Sequence, residues 1–515
     1  MAFRIKNTLP YTIAMVAHDV HPSPHGTAAD FGSLPVVQRG KRGAVSAAHP
    51  LATAAGLTML ARGGSAVDAA IAAQAMICVV LPDAAGLGGD VLALVRRADG
   101  VTTINGVGRS PGVAPPRWTN DGGGSVTVPG LVDGWIELHA RGGRLALAEV
   151  LEPAVRTAEN TPLTRGTASS AAAQRARLDA YGGAGWALLQ AVDARAESWA
   201  QPELAQLLHA VGTRGRDAFY SGSAATAIAR AASRTGGSLS PDDLARHATL
   251  VGDPIVVPWN GGELLVQPPP SQAVLLAMAA GWLDRRAPVY EASLPHVLVE
   301  LTQSVFAHRA DAGRGEELLR EPLDVDPERA SRRGGPRAYL HTAGVAAADA
   351  EGTVVSSLVS VFDDFGSGVF VPELGIVLAN RAAGFTEGAN APRPNGYPVH
   401  TLAPALLRGG GATTALATPG ADGQVQTLLQ ILAARRYGGE DWPQALAASR
   451  WRSEDAKLLV ERGHPARAAL HSRGHDVVSR AYGEDVFGAV VIAGVDGEGP
   501  FALADPRRDV EAGAA

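Results

Sequence analysis

The sequence contains one cysteine, which excludes an internal disulfide as a source of stability. Cys78 lies in the apolar run AIAAQAMICVV, where we expect it to act as a small hydrophobic residue of the core. Aromatic residues are also scarce, at 5% of the chain, while glycine and alanine are abundant. We attribute this composition to tight backbone packing and to a GC-rich genome, and draw no functional conclusion from it.

Two further absences exclude classes of partner. The net charge is −6 and no long basic run is present, so we expect no binding to nucleic acid or to an anionic membrane. No apolar run reaches the roughly 18–20 residues that span a bilayer. The N-terminal apolar patch is broken by Pro10 and lacks a convincing cleavage site, so no signal peptide is predicted. We expect a cytoplasmic protein, with a periplasmic or secreted location still open.

Motifs for metals and cofactors are missing as well. No HxxxH motif and no clustered Cys/His spacing indicates zinc. The loop GLGGD at 86–90 lacks the fingerprint of a phosphate-binding loop, so tight packing is the favoured interpretation. The sequence therefore predicts neither a metal site nor a cofactor.

The chain does contain enough apolar residues for a large core. Its 515 residues, 46% of them hydrophobic, fit several domains or one large single-core enzyme. The charged segment 309–341 is rich in Arg and Gly and predicts an exposed linker. Strands are predicted directly after it, at 343–348, 353–361, 369–371 and 376–379, the first two joined by a D-A-E-G turn. Thr342 stands at the junction.

A threonine at such a junction can become a nucleophile. Its hydroxyl is weak and needs a base close by. If the bond between His341 and Thr342 is cut, the new α-amino group, with a pKa of about 8, can accept the hydroxyl proton. Nucleophile and base then belong to one residue. Most threonines beside a loop only begin a strand, so Thr342 alone does not decide the function.

The surrounding motifs resemble a known family. The stretch DAEGTVVSSLVSVFDDFGSGVFVPELGIVLANR resembles the start of the small subunit of γ-glutamyltranspeptidases. In that family the nucleophilic threonine lies seven residues before the turn aspartate, as Thr342 lies before Asp349. The stretches GGSAVDAAIAAQ, VPGLVDGWIELHARGG and VQPPPSQAVLLAMA resemble further family motifs in the family's order. The resemblance therefore covers almost the whole chain.

The resemblance implies an α+β fold, the four-layer αββα sandwich of the N-terminal nucleophile hydrolases. It implies that an inactive precursor cleaves itself before Thr342 into a large fragment, 1–341, and a small fragment, 342–515. The two fragments would form one catalytic unit, a heterodimer that can dimerise further. It also implies that Thr342 is the nucleophile, that Ser360 is its supporting hydroxyl, and that the backbone N–H groups of Gly420 and Ala421 form the oxyanion hole.

The chain departs from the family where glutamyl substrates are held. The position of the aspartate that takes the α-amino group falls on Gly384, and that of a substrate-contacting asparagine falls on Phe362. A Ser–Ser pair becomes His400–Thr401. An ammonium group in a half-buried pocket without a carboxylate partner is costly, so we expect the pocket to reject a zwitterionic glutamyl group.

The segment NGVGRSP also differs. The family's carboxylate-binding arginine falls on Val107, with Arg109 two residues on, and Ala343 replaces the threonine after the nucleophile. Arg109 either clamps a substrate carboxylate or packs in a surface loop. His400 either contacts substrate or is a satisfied histidine at a strand end. The pattern resembles the branch that includes oxamate amidohydrolase and cephalosporin acylases.

Three functions follow as alternatives. The first is a hydrolase or acyltransferase with an N-terminal threonine, acting on a small amide that carries a carboxylate. The second is a true γ-glutamyltransferase or glutathione hydrolase with an altered pocket. The third is an uncleaved, inactive homologue with a binding role.

Overall fold

Residues 34–286, 293–333 and 342–515 are described by a computed structural model of the chain. The strands are β1 (Gln38–Arg39), β2 (Gly43–Ala47), β3 (Asp90–Arg97), β4 (Gly100–Gly106), β5 (Thr161–Pro162), β6 (Ser198–Trp199), β7 (Leu250–Gly252), β8 (Ile255–Trp259), β9 (Gly262–Val266), β10 (Ala343–Asp349), β11 (Val354–Ser360), β12 (Phe370–Val371), β13 (Ile376–Val377), β14 (Ala405–Gly409), β15 (Ala412–Ala417), β16 (Trp451–Glu454), β17 (Lys457–Glu461), β18 (Val477–Arg480), β19 (Val491–Asp496), β20 (Gly499–Ala504) and β21 (Glu511–Ala514). The α-helices are α1 (Pro50–Ala61), α2 (Ala66–Val80), α3 (Leu131–Gly142), α4 (Leu147–Glu159), α5 (Arg165–Ala173), α6 (Arg175–Leu178), α7 (Ala187–Ala194), α8 (Pro202–Arg214), α9 (Asp217–Tyr220), α10 (Gly222–Arg234), α11 (Pro241–Ala245), α12 (Val274–Arg286), α13 (Leu294–Phe306), α14 (Gln424–Tyr437), α15 (Trp442–Ala447) and α16 (Arg467–Ser472).

Two seven-stranded sheets organise the fold. Sheet one has the order β1-β20-β19-β15-β14-β9-β8, and sheet two has the order β21-β2-β10-β11-β3-β4-β7. Neighbouring strands of both sheets pair antiparallel. Both sheets combine strands from before and after Thr342. In sheet two, β10 and β11, which follow Thr342, lie between β2 and β3, which precede it.

The inner faces of the two sheets pack against each other. Side chains two or four residues apart on a strand share a face, and such pairs meet in one buried cluster. They are Leu92 and Leu94, Ala346 and Ala348, Val354 and Leu358, Ala415 and Ala417, and Val491 and Ala493. The many alanines in this layer let the two backbones approach closely.

The outer face of each sheet is covered by helices. Residues of β2, β3, β10 and β11 pack with α1, α2, α3, α4 and α8, while residues of β8, β9, β14 and β20 pack with α12, α13 and α14. The order helices, sheet, sheet, helices is the predicted αββα sandwich, so the fold prediction is confirmed.

Local sequence signals explain the elements nearest the predicted nucleophile. Ser65 and Asp68 form a capping box at the start of α2, and every residue of α2 is buried. The β10–β11 hairpin turns at Asp349, whose Oδ1 accepts hydrogen bonds from the N–H groups of Glu351 and Thr353 at 3.1 and 2.9 Å. Its Oδ2 accepts from the Ala66 N–H at 2.9 Å and so ties the hairpin to the start of α2.

The predicted linker needs one correction. Residues Arg309–Arg320 form 3-10 turns that bury Ala312 and Leu318, so this first part is not an exposed linker. Residues 321–333 do follow the surface, with alternating exposed and half-buried side chains. Composition did not predict this burial, because the buried apolar residues are single positions between charged ones.

Of the residues that the structure describes, none belongs to a helix long and apolar enough to cross a membrane.

Candidate active site

Thr342 and Ser360 meet at the edge of sheet two. Thr342 immediately precedes β10 and is 5% exposed, and Ser360 is the last residue of β11. The Thr342 hydroxyl donates to Ser360 Oγ at 3.3 Å. Both side chains fall on the face toward sheet one, two residues from Gly344 and Leu358. The two hydroxyls predicted to act together are therefore adjacent, while His341, on the other side of the predicted cut, lies outside the described residues.

Phe362 contacts this pair through its backbone. Its N–H donates to Ser360 Oγ at 2.9 Å, and its backbone has a φ of 85°. A positive φ is costly for an aromatic residue, so the turn must be held by its surroundings. One such contact is the Arg381 guanidinium, which lies 4.3 Å from the centre of the Phe362 ring.

A buried charged cluster adjoins the hydroxyls. Asp90 lies opposite Ser360 in the β3–β11 register. Its Oδ2 accepts from Arg381 Nε at 3.0 Å and from His400 Nε2 at 3.1 Å. Since His400 Nδ1 accepts from the Leu402 N–H at 3.2 Å, the neutral ring carries its proton on Nε2. All three charged or titratable side chains are at most 1% exposed.

The electrostatics of the cluster favour a neutral histidine. Burial and, to a smaller extent, the nearby Arg381 charge lower the pKa of His400 to about 4, although the Asp90 hydrogen bond opposes the change. Burial alone would raise the pKa of Asp90, but the His400 hydrogen bond and the Arg381 charge bring it below its usual value. The cluster therefore consists of one carboxylate, one guanidinium and one neutral imidazole.

One guanidinium nitrogen of this cluster is left over. Within the described residues, Arg381 Nη2 and Asp90 Oδ1 are both buried and have no hydrogen-bond partner. Arg381 Nη1 reaches Thr401 Oγ1 at 3.4 Å, at the limit of a hydrogen bond. A buried donor of a charged group normally finds an acceptor, so Arg381 is suited to bind an anionic group beside the hydroxyls. Arg381 and Asp90 end the motifs GIVLANR and GLGGD, but nothing in either motif predicts that the two side chains meet.

The predicted oxyanion residues follow β15, which packs on β10. Gly420 has a φ of 120° and Ala421 a φ of 47°. The Ala421 carbonyl accepts from Gln272 Nε2 at 3.2 Å, and the next residue, Asp422, pairs with Arg309 Nε at 2.8 Å. The loop is thus fixed from both sides, as a preorganised donor site requires.

Gly384 ends the 3-10 turn that begins at Arg381, so it lies close to Arg381. A Cβ at Gly384 would lie 3.3 Å from the Val399 carbonyl oxygen, which leaves little room for a larger residue there.

Arg109 is placed elsewhere. Its exposed side chain lies over the Tyr397 ring at 5.0 Å and lines a cleft of about 360 Å³ with Asp243, His247 and Asn395. Thr342, Ser360, Gly420, Ala421 and Arg381 do not line that cleft, although its His247 feels the charges of both Arg109 and Asp90.

The αββα fold is that of the N-terminal nucleophile hydrolases, and the relatives that the chain matches are amidohydrolases and acylases, so the chain is an enzyme of this class. The sequence model described as Gamma-glutamyltranspeptidase matches residues 52–515, so the chain belongs to the γ-glutamyltranspeptidase family.

Individual relatives agree with this assignment. The chain is 30% identical to an oxamate amidohydrolase proenzyme of Klebsiella pneumoniae, over 84% of this chain and 91% of that protein. It is 30% identical to the Acylase ACY 1 proenzyme of Pseudomonas sp. (strain SE83), over 89% and 91%. The fold matches a cephalosporin acylase from Bacillus halodurans with a TM-score of 0.81 and 26% identity, over 97% of this chain and 99% of that one.

Proposed function

We propose that the chain is a precursor that cleaves itself before Thr342 and then hydrolyses a small amide whose acyl part carries a carboxylate. In the cut, the Thr342 Oγ attacks the His341 carbonyl carbon, and the acyl group moves from nitrogen to oxygen. Water then hydrolyses the ester and releases 1–341 with a new carboxylate and 342–515 with a free α-amino group. The burial of Thr342 beside Ser360 supports this step. Ser360 Oγ accepts a hydrogen bond from the Thr342 hydroxyl and so orients the nucleophile.

Turnover uses the same atoms. The α-amino group of Thr342 takes the hydroxyl proton while Oγ attacks the amide carbonyl. The N–H groups of Gly420 and Ala421 hold the resulting oxyanion. The C–N bond breaks, the ammonium returns its proton to the leaving amine, and an acyl ester remains on Thr342. A water molecule, deprotonated by the same amine, hydrolyses the ester, while an amine in place of water would give transfer.

The observation that carries the substrate class is the buried, unpartnered Nη2 of Arg381. A guanidinium is always charged and matches a carboxylate with two parallel N–H donors. Gly384 stands where the family's amine-binding aspartate lies, and the free Oδ1 of Asp90 belongs to a carboxylate that is already paired with Arg381. A zwitterionic glutamyl group therefore lacks a partner for its amine, whereas an acyl group that carries only a carboxylate needs no such partner. Arg381 replaces Arg109 as the proposed anchor.

The test compares substrates on one purified preparation. Oxamate, a neutral acyl amide and a chromogenic γ-glutamyl anilide are incubated with the protein, and released ammonia or anilide is measured with and without glycylglycine. We expect the carboxylate-bearing amide to be turned over best. Turnover of the glutamyl compound alone, stimulated by glycylglycine, would instead identify a γ-glutamyltransferase. An intact chain with no turnover would identify an inactive homologue.

A further inference from the structure

A second polar cluster lies in the helical layer over sheet one, outside the proposed active site. It consists of His296 and Glu300 on α13 and His475 between α16 and β18, all buried. His296 and Glu300 are four residues apart and so share one helix face. One nitrogen or oxygen of each side chain lies within 4.8 Å of those of the other two.

The two imidazoles are arranged as metal ligands. His296 Nε2 donates to the Asp326 carbonyl at 2.9 Å, which leaves the lone pair of Nδ1 facing His475 Nε2 at 2.8 Å. A backbone carbonyl that fixes the far ring nitrogen is the usual support of a metal-binding histidine.

Glu300 provides an independent reason for a cation. Its side chain is fully buried, and its two oxygens accept from the Ser331 N–H at 3.1 and 3.2 Å. Among the described residues no lysine or arginine pairs with it. A buried carboxylate without a cation is costly, and bound metal is one of the ways in which proteins compensate it.

We propose that His296, Glu300 and His475 bind a divalent transition metal, with zinc as the reference ion and water as the fourth ligand. Zinc–nitrogen bonds of 2.0–2.1 Å in a tetrahedron separate two nitrogens by about 3.3 Å, so the rings must move apart by roughly 0.5 Å. When His475 Nε2 binds the metal, the ring proton moves from Nε2 to Nδ1. Arg332 and Arg473, the nearest guanidinium groups, oppose the ion, so the affinity is below that of a cysteine-based zinc site.

The position of the cluster gives the metal a structural role. His296 and Glu300 precede the predicted cut, whereas His475 follows it. The segment before the cut is also held here, since the Ala330 N–H donates to the Arg473 carbonyl at 2.9 Å and Arg332 Nε to the Gly474 carbonyl at 2.7 Å. The metal therefore ties the two parts of the chain together, whether or not the cut occurs.

The test is titration of the full-length, EDTA-treated protein with Zn²⁺ by calorimetry, in the wild type and in Glu300→Gln, His475→Gln and His471→Gln. We expect one zinc per chain, affinity at least about 100-fold lower in the first two variants, and no change in the third, because His471 is exposed on α16. Zinc should also raise the melting temperature of the wild type but not of Glu300→Gln.

Binding of Co²⁺ to the wild type gives a readout that needs no variant. A tetrahedral cobalt spectrum that zinc abolishes supports the proposal even if His475→Gln fails to fold. Absence of stoichiometric zinc binding by the wild type overturns it. So does binding that survives Glu300→Gln and His475→Gln but disappears in His471→Gln.

Discussion

Asp90 and Ser360 lie directly opposite each other where β3 begins and β11 ends. This pairing joins two groups of residues that are far apart in the sequence. On one side Ser360 accepts the hydrogen bond of Thr342, and on the other Asp90 holds Arg381 and His400. A candidate nucleophile and a candidate anion-binding group are thereby fixed to adjacent strands of one rigid sheet.

Replacing Thr342 tests the nucleophile. Thr342→Ala is expected to give one species at the full mass of 52.9 kDa and at least about 10³-fold lower activity, because hydroxyl and cleavage are lost together. Thr342→Ser keeps a hydroxyl and is expected to be cleaved. Intact-mass measurement and a denaturing gel report both outcomes. Thr226→Ala, exposed on α10, is the control. A fully active, uncleaved Thr342→Ala protein would refute the mechanism.

Replacing Arg381 tests the substrate class. With Arg381→Gln we expect kcat/KM for a carboxylate-bearing amide to fall about 10–100-fold, as loss of a charged hydrogen bond of about 1.5–3 kcal/mol predicts, and to change little for a neutral amide. Arg109→Gln should leave both values unchanged. Arg381→Gln also breaks a buried ion pair, which costs about 3–5 kcal/mol of stability. The double variant Asp90→Asn/Arg381→Gln leaves no unpaired buried charge. If kcat/KM of this variant falls equally for both amides, Arg381 does not bind the substrate carboxylate.

His400 makes stability depend on pH. The folded protein holds it neutral down to a pKa of about 4, whereas the unfolded chain binds a proton near pH 6.5. Stability is therefore fully present above about pH 6.5 and falls as pH decreases toward 4. The contribution of this group between pH 7.5 and 5 is about 2 kcal/mol. Urea unfolding at both pH values should show a smaller difference for His400→Gln, and an equal or larger difference would disprove the assignment.

Substitutions at Gly420 and Ala421 test the predicted oxyanion loop, and they are expected to change its stability in opposite directions. Ala421→Gly relieves a positive φ of 47°, keeps the N–H and should add about 0.5–1 kcal/mol of stability with activity retained. Gly420→Ala forces a side chain onto a φ of 120° and should cost about 1–3 kcal/mol and lower kcat. The nearest obstacle to that Cβ is Arg452 Nη1 at 3.5 Å, so strain and not lack of space causes the effect. Unfolding curves and steady-state kinetics give both quantities, and unchanged kcat in Gly420→Ala would argue against the donor role.

Local sequence determined much of the framework. Ser65 and Asp68 specify the start of α2, and the D-A-E-G turn specifies the β10–β11 hairpin, because capping and turn formation depend on neighbours in the chain. The order of motifs predicted the αββα fold and brought Thr342, Ser360, Gly420 and Ala421 into consideration. Helix starts and turns depend on residues that are neighbours in the sequence, and the order of motifs follows the family, so the sequence alone predicts both.

Only the tertiary structure decided which buried charges meet. Asp90 and Arg381 are 291 positions apart, and His296 and His475 are 179 apart. Hydrophobic periodicity marks a position as buried but does not say which other position it faces. We therefore propose Arg381 and not Arg109 as the substrate anchor, because the tertiary fold sets Arg381 beside Asp90 and its local motif does not reveal this neighbour.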